Sequence, residues 1–133
     1  MPPELEEVRS WIEKADHDWQ TAELVMEGAA PMPDVAAFHT QQAVEKYLKA
    51  FLVWKQFSFE KIHDLEELVG NCEQYEASFA DLKSKVAPLS AYAVRFRYPV
   101  AKDPAEEEVR DALAVVDTVR RFVAERLPPE TLP

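Results

Sequence analysis

The chain has 133 residues, with 25 acidic and 15 basic side chains, a formal net charge of −10, two glycines and one cysteine. This length suits one domain with its own core, and a single cysteine excludes an internal disulfide. The acidic balance argues against strong nucleic-acid binding, because phosphate contacts need clustered lysine and arginine. No apolar run approaches the roughly 20 residues that a membrane helix needs. The N-terminal "MPPELEEVRS" lacks the apolar segment of a secretory signal, so we expect a cytoplasmic protein without membrane contact.

Apolar periodicity predicts two long helices in the first half of the chain. The first runs from about Glu4 to Glu27, and the second runs from Val35 to about Gln56 with Asp34 as its N-cap. One face of the first helix is apolar and carries Val8, Ile12, Ala15, Trp19, Ala22 and Met26. The apolar arc of the second helix covers more than half of its circumference. Such a helix lies in the middle of a bundle or is covered by a second subunit.

The second half of the chain predicts one short helix and one kinked helix. Asp64 and Glu67 resemble a capping box, which indicates a short helix to about Glu73. A fourth main helix is predicted from about Ala80 to Tyr98. Pro88 lies inside it and should kink it, because proline removes one backbone hydrogen bond.

The last helix is predicted from about Ala105 to Leu127, followed by the frayed tail "PPETLP". Short connections favour antiparallel neighbours. The sequence therefore predicts an all-α fold, an antiparallel up-and-down four-helix bundle with one additional short helix. We expect one domain over residues 1–133, with its core at about 4–127.

The usual signatures of metal and nucleophilic sites are missing from the sequence. A carboxylate-bridged metal pair in a bundle needs Glu-x-x-His twice, and the chain has it once, from Glu60 to His63. There is no glycine-flanked serine and no glycine-rich phosphate loop. Cys72 has no histidine nearby in the sequence, and we interpret it as a small core or half-buried residue. We therefore predict no metal and no cofactor.

The segment "AFHTQQAVEKYLKAFL", residues 37–52, carries the most informative pattern. His39, Gln42, Lys46 and Lys49 recur at spacings of three and four, so they share one strip of the second helix, opposite its apolar arc. Such a strip could accept an anion or hydrogen-bond a base edge. The simpler interpretation is a solvated helix face, in which Glu45 and Lys49 form an i,i+4 pair.

Two further motifs have both a structural and a functional interpretation. In "RFRYP", Arg95 and Arg97 end the fourth helix, where cations offset the helix dipole, but Arg97 could also reach a partner or a phosphate. In "IHDLEEL", the simplest interpretation is a loop that leads into a helix, with His63 capping or packing there.

Taken together, these segments resemble the HEPN domain, the higher eukaryotes and prokaryotes nucleotide-binding family. The resemblance rests on "ADHDWQTAELVMEG", "FHTQQAVEKYLKAFL", "HDLEEL" and "LSAYAVRFRYP", and it spans about Trp11 to Phe122. It implies an antiparallel helical bundle that is usually a homodimer. HEPN proteins often accompany a small nucleotidyltransferase, and some such pairs act as toxin and antitoxin; other members bind nucleotides.

One departure from the family pattern bears on catalysis. Ribonuclease members carry an arginine followed about four to six residues later by a histidine, whereas Arg97 is followed by "YPVAKDP". We therefore expect a non-catalytic module that binds a nucleotide or pairs with a nucleotidyltransferase. The candidate contacts are His39, Gln42 and His63 as hydrogen-bonding groups, Lys46, Lys49 and Arg97 for phosphate, and Tyr98 for base stacking. A ribonuclease toxin with an atypical site and a purely structural adaptor remain as alternatives.

Overall fold

A computed structural model describes residues 1–93 and 102–133, and this part of the chain is helical without a β-strand. The α-helices are α1 (Pro3–Glu27), α2 (Pro33–Trp54), α3 (Leu65–Glu73), α4 (Lys83–Val86) and α5 (Glu106–Ala124). Three 3₁₀ segments cover Ala77–Leu82, Ala87–Leu89 and Pro129–Thr131. The predicted all-α class is confirmed, and the two long N-terminal helices lie within about two residues of their predicted bounds. The prediction of Asp34 as the N-cap of α2 is wrong, because the helix begins at Pro33 and Asp34 lies in its first turn.

Helices α1 and α2 form an antiparallel pair. Trp11, early in α1, lies near Lys49, late in α2, while Asp18 lies near His39 at the beginning of α2. The apolar stripe predicted for α1 is buried in the core, except for Trp19, which is partly buried. The pairing sets the polar side chains of α1 against the polar strip of α2.

Helix α2 is the centre of the bundle. It packs against α1, α3 and α5, and most of its side chains are buried in consequence. The sequence left open whether the apolar arc of α2 is buried within the bundle or by a second subunit. The contacts show that helices of the same chain bury it. Its breadth is explained by burial of a helix with neighbours on several sides.

A left-handed residue ends α2 and directs the following loop. The N–H of Gln56 donates to the Val53 carbonyl and the N–H of Phe57 donates to the Leu52 carbonyl, each at 2.9 Å. Gln56 has φ 58°, and together with these two hydrogen bonds this shows that α2 ends in a Schellman motif. This reversal brings Phe57 and Phe59 back toward the bundle, where both pack against the core.

Helix α3 begins as its sequence predicts. The carboxylate of Asp64 accepts hydrogen bonds from the backbone N–H groups of Glu66 at 2.8 Å and Glu67 at 3.3 Å. The cap fixes the chain direction immediately after His63. Cys72 is fully buried near the end of α3, which confirms its interpretation as a core residue. Burial raises the pKa of its thiol, so the thiol is protonated at neutral pH.

The prediction of one continuous fourth helix is wrong for the part that the structure describes. The chain from Ala77 to Leu89 passes through 3₁₀, α and 3₁₀ turns instead. Pro88 lies in the last of these turns, where its missing N–H removes a helical hydrogen bond. The apolar side chains of Leu82, Val86 and Leu89 are nevertheless buried, so their periodicity reflected burial rather than a regular helix.

The prediction of a frayed C-terminal tail is also wrong. Thr131 is fully buried, and its hydroxyl donates to the Pro128 carbonyl at 2.6 Å. Arg9 of α1 donates to the Glu130 carbonyl at 3.2 Å. Leu132 packs against the core. Tertiary contacts with α1 therefore order a segment whose prolines only prevent α5 from continuing.

Candidate functional site

The first half of the polar strip on α2 is bound to a carboxylate of α1. Asp18 is 9% exposed; its Oδ1 lies 2.8 Å from His39 Nδ1, and its Oδ2 accepts a hydrogen bond from Lys46 Nζ. One buried carboxylate thus holds two of the predicted site residues. The positive charge of Lys46 is offset within the chain, which reduces its attraction for a free anion.

The second half of the strip centres on Glu45. Lys49 Nζ lies 3.0 Å from Glu45 Oε2, and His63 Nδ1 lies 3.3 Å from the same oxygen. Lys49 is only 5% exposed, so the solvated-face interpretation does not hold for this residue. The other carboxylate oxygen accepts from Gln41 Nε2 at 3.2 Å, and Gln42 Nε2 donates to Gln41 Oε1 at 2.6 Å. The result is a continuous hydrogen-bonded chain from Gln42 to His63.

A cavity of about 420 Å³ lies along this chain. Its lining in the described part of the protein is Gln41, Gln42, Glu45, His63, Asp64, Ser90 and Ala93. The Ser90 hydroxyl oxygen is buried and has no hydrogen-bond partner there, a state that normally calls for a ligand or water. The lining offers carboxylates, amides, an imidazole and a hydroxyl. We refer to this space as the α2 cavity; its chemistry suits a ligand rich in hydrogen-bond donors.

The structure divides the predicted site residues into three groups. Gln42 and His63 line the α2 cavity, and Lys49 contacts its wall through Glu45. His39 and Lys46 are bound to Asp18. Arg97 and Tyr98 lie outside the described residues, so their phosphate and stacking roles stay predictions. Ser90 and the α1 carboxylate Asp18 were not anticipated, although an aspartate between Ala15 and Ala22 on an apolar stripe was a usable signal.

A second carboxylate of α1 joins three helices. Asp16 accepts hydrogen bonds from Arg120 of α5, from Nε at 2.8 Å and from Nη2 at 3.2 Å. Its Oδ1 also accepts from the hydroxyl of Tyr47 in α2, whose side chain is fully buried. The hydrogen bonds to Asp16 raise the pKa of Arg120. We refer to Asp16, Tyr47 and Arg120 as the Asp16 clamp. Its charge-assisted hydrogen bonds connect α2 to α1 and α5.

The buried phenol of Tyr47 makes stability sensitive to alkaline pH. Burial, with the Asp16 hydrogen bond, raises the pKa of Tyr47 well above its ordinary value. Above about pH 10 the unfolded chain loses this proton while the folded chain keeps it, so stability falls as pH rises. We expect the urea midpoint of the wild-type chain to fall more steeply between about pH 10 and 12 than that of Tyr47→Phe. Parallel slopes for the two proteins would contradict this assignment.

Metal-binding groups and membrane-spanning helices are both absent from the described part of the chain. Within residues 1–93 and 102–133, no group of three or more histidine, cysteine or acidic side chains is placed to hold a metal ion. In the same part of the chain, no helix is long and apolar enough to cross a membrane. The candidate site is the α2 cavity, which is formed by side chains of α2, the loop before α3 and Ser90.

Comparison with known proteins places this bundle in a family. A model of the HEPN domain matches residues 8–127. The chain belongs to the HEPN domain family, as its motifs predicted.

Individual relatives agree with this assignment. The candidate toxin MJ1304 of Methanocaldococcus jannaschii is 25% identical over 136 residues, covering 87% of this chain and 88% of that protein. The crystal structure of TT1696 from Thermus thermophilus superposes with a TM-score of 0.79 at 25% identity, covering 92% of this chain and 99% of the other. The crystal structure of ST0689, an archaeal HEPN homologue, superposes with a TM-score of 0.70 at 22% identity. It covers 90% of this chain and 96% of the other, and it shares the fold.

Proposed function

We propose that this chain is a non-catalytic HEPN module of a two-component system of the toxin–antitoxin kind. In this proposal it pairs with a small nucleotidyltransferase, accepts a nucleotide in the α2 cavity, or does both. Family membership and the similarity to a candidate toxin support the system. The observation that carries the ligand proposal is the convergence of Gln42, His63 and the unpartnered Ser90 hydroxyl on one cavity.

The chemistry of the cavity favours the base and ribose over the phosphate. Glu45 and Asp64 place two carboxylates in the wall, and these repel phosphate while accepting hydrogen bonds from exocyclic amines and ribose hydroxyls. Lys46, one helical turn beyond Gln42, is not part of the cavity lining and stays a candidate for phosphate contact. Arg97, the other candidate, lies outside the described residues. A ligand bound in this way would not use the lysines of α2 as its main phosphate contacts, because Asp18 already neutralises Lys46 and Glu45 already neutralises Lys49.

A nucleotide-binding measurement tests the ligand proposal. Titration calorimetry with ATP, GTP and their nucleosides is expected to show saturable binding of a nucleotide, with most of the affinity retained by the matching nucleoside. Gln42→Ala should weaken binding about tenfold, because one polar contact to the ligand is lost. Gln20→Ala, an exposed glutamine of α1 outside the cavity lining, is the matched control and should leave the affinity unchanged.

The partner proposal has its own test. Co-expression with a small nucleotidyltransferase encoded in the neighbouring reading frame is expected to yield a stable complex. Family membership also supports a homodimer, for which sedimentation should give twice the 15.2 kDa chain mass. Absence of binding to every nucleotide, together with absence of a complex with that transferase, would refute the proposed function and leave a ribonuclease or a purely structural adaptor.

One contact favours the ribonuclease alternative. His63 is largely exposed on the cavity wall, while the buried Glu45 lies against its Nδ1, as in pairs where a carboxylate orients a general base. Against it stands the missing Arg-x4-6-His pattern. If this alternative is correct, expression of the chain arrests growth and degrades RNA, and His63→Ala relieves both effects. Intact RNA after incubation with the purified chain would eliminate it.

A further inference from the structure

An aromatic groove lies at the other end of the α1–α2 pair. It has a volume of about 440 Å³, and its lining consists of Glu4, Glu7, Trp11, Val53, Gln56, Phe57, Ser58, Phe59 and Glu60. Its floor is formed by Trp11, Phe57 and Phe59, all partly buried against the core. We refer to it as the aromatic groove. It has no lining residue in common with the α2 cavity.

The rings of this groove already hold a cation on their inner side. Trp11 and Phe59 contact edge to face, with ring centroids 5.5 Å apart. Lys49 Nζ lies 5.8 Å from the Trp11 centroid and 5.2 Å from the Phe59 centroid. The negative ring faces therefore stabilise an ammonium within the protein, and rings of this kind are equally suited to a cation from outside.

Three carboxylates surround the outer side of the groove. Glu4, Glu7 and Glu60 are exposed, and in the described part of the chain none of them has an ion-pair or hydrogen-bond partner. Glu4 lies in the first turn of α1, where it also offsets the helix dipole. Glu7 and Glu60 have no such local role. Their negative charge is thus available to a ligand.

We propose that the aromatic groove is the docking site for a basic segment of a protein partner. An arginine side chain would stack on Trp11 or Phe57 and direct its guanidinium toward the rim glutamates. A small cation neutralises one carboxylate, whereas a segment with several basic side chains meets carboxylates on both α1 and the loop after α2. The net charge of −10 accelerates encounter with such a partner. This inference does not depend on nucleotide binding in the α2 cavity.

Fluorescence of Trp11 gives a direct test. In a Trp19→Phe/Trp54→Phe background, Trp11 is the only tryptophan of the chain. A blocked octapeptide of alternating arginine and alanine is the probe, and its glutamine analogue is the uncharged comparison. We expect a saturable change of Trp11 emission with the arginine peptide and none with the glutamine peptide. Calorimetry with the unaltered chain provides the same affinity if the double background folds poorly.

Matched charge variants distinguish the groove from general attraction. The triple variant Glu4→Gln/Glu7→Gln/Glu60→Gln should weaken peptide binding about tenfold, since three rim charges are removed. The control Glu66→Gln/Glu107→Gln/Glu130→Gln removes the same charge from exposed positions outside the groove and should change affinity less than about twofold.

Three outcomes would overturn the proposal. Equal weakening by the two triple variants would mean attraction to net charge alone. No binding of the arginine peptide, or equal binding of its glutamine analogue, would show that the groove does not select a basic segment. Free arginine binding as tightly as the peptide would identify a small-cation site instead. None of these results bears on nucleotide affinity, so failure here and failure of the proposed function are distinguishable.

Discussion

Lys49→Met is expected to lower the free energy of unfolding by about 3 kcal/mol, because it leaves the carboxylate of Glu45 buried without its cation. The two side chains are 6% and 8% exposed, and Lys49 Nζ lies 3.0 Å from Glu45 Oε2. Methionine has nearly the shape of the lysine stem and can occupy the space beside Trp11 and Phe59. The loss should therefore reflect charge rather than packing.

A double variant separates the two contributions. Glu45→Gln/Lys49→Met removes both charges and keeps an amide that can bond Gln41, so it should recover most of the loss. Lys85→Met, at an exposed position with no ion pair in the described part of the chain, is the control. Urea unfolding followed by circular dichroism measures all three. A Lys49→Met protein as stable as Lys85→Met would show that the pair contributes nothing.

Asp16→Ala is expected to cost about 3 kcal/mol, since it leaves two groups without their acceptor. Arg120 loses both of its hydrogen bonds from Nε and Nη2, and the buried hydroxyl of Tyr47 loses the Asp16 oxygen to which it donates. The loss spreads over three helices, so we expect one cooperative transition at lower urea rather than fraying of α1.

The control and the double variant for the Asp16 clamp follow from the same contacts. Asp111→Ala removes an exposed acidic side chain of α5 that has no ion pair in the described residues, and it should leave the urea midpoint unchanged. Adding Tyr47→Phe to Asp16→Ala removes the orphaned hydroxyl and should recover part of the loss. If Asp16→Ala behaves like Asp111→Ala, the clamp does not stabilise the bundle.

The two α1 carboxylates also bear on function. Asp16 and Asp18 hold α2 through Tyr47, His39 and Lys46. They therefore help to orient α2, whose Gln41, Gln42 and Glu45 line the α2 cavity, and Asp18 offsets the charge of Lys46. A variant of either aspartate can reduce ligand binding through this positioning without contact to the ligand, so Gln42 is the cleaner test of the proposed site.

Local sequence was sufficient to predict the helices that have a clear apolar periodicity or a capping residue. The bounds of α1, α2, α3 and α5 follow from apolar spacing, from Asp64 at the start of α3 and from proline beyond α5, all of which act within a few residues. The same reasoning failed from Ala77 to Leu89, where apolar side chains recur at helical spacing but the backbone turns between α and 3₁₀ geometry around Pro88. Periodicity reports which side is buried, and it does not by itself distinguish one helix from several turns.

The all-helical class, the family and the set of polar side chains on α2 could all be predicted from the amino-acid sequence. Tertiary structure decided what those side chains touch: Asp18 for His39 and Lys46, Glu45 for Lys49 and His63, and a cavity for Gln42. The physical reason is that an angle around one helix axis is a local quantity, whereas burial and charge pairing depend on which neighbour packs there. The ordered C-terminal segment has the same origin, since α1 supplies its contacts from more than a hundred residues away in the sequence.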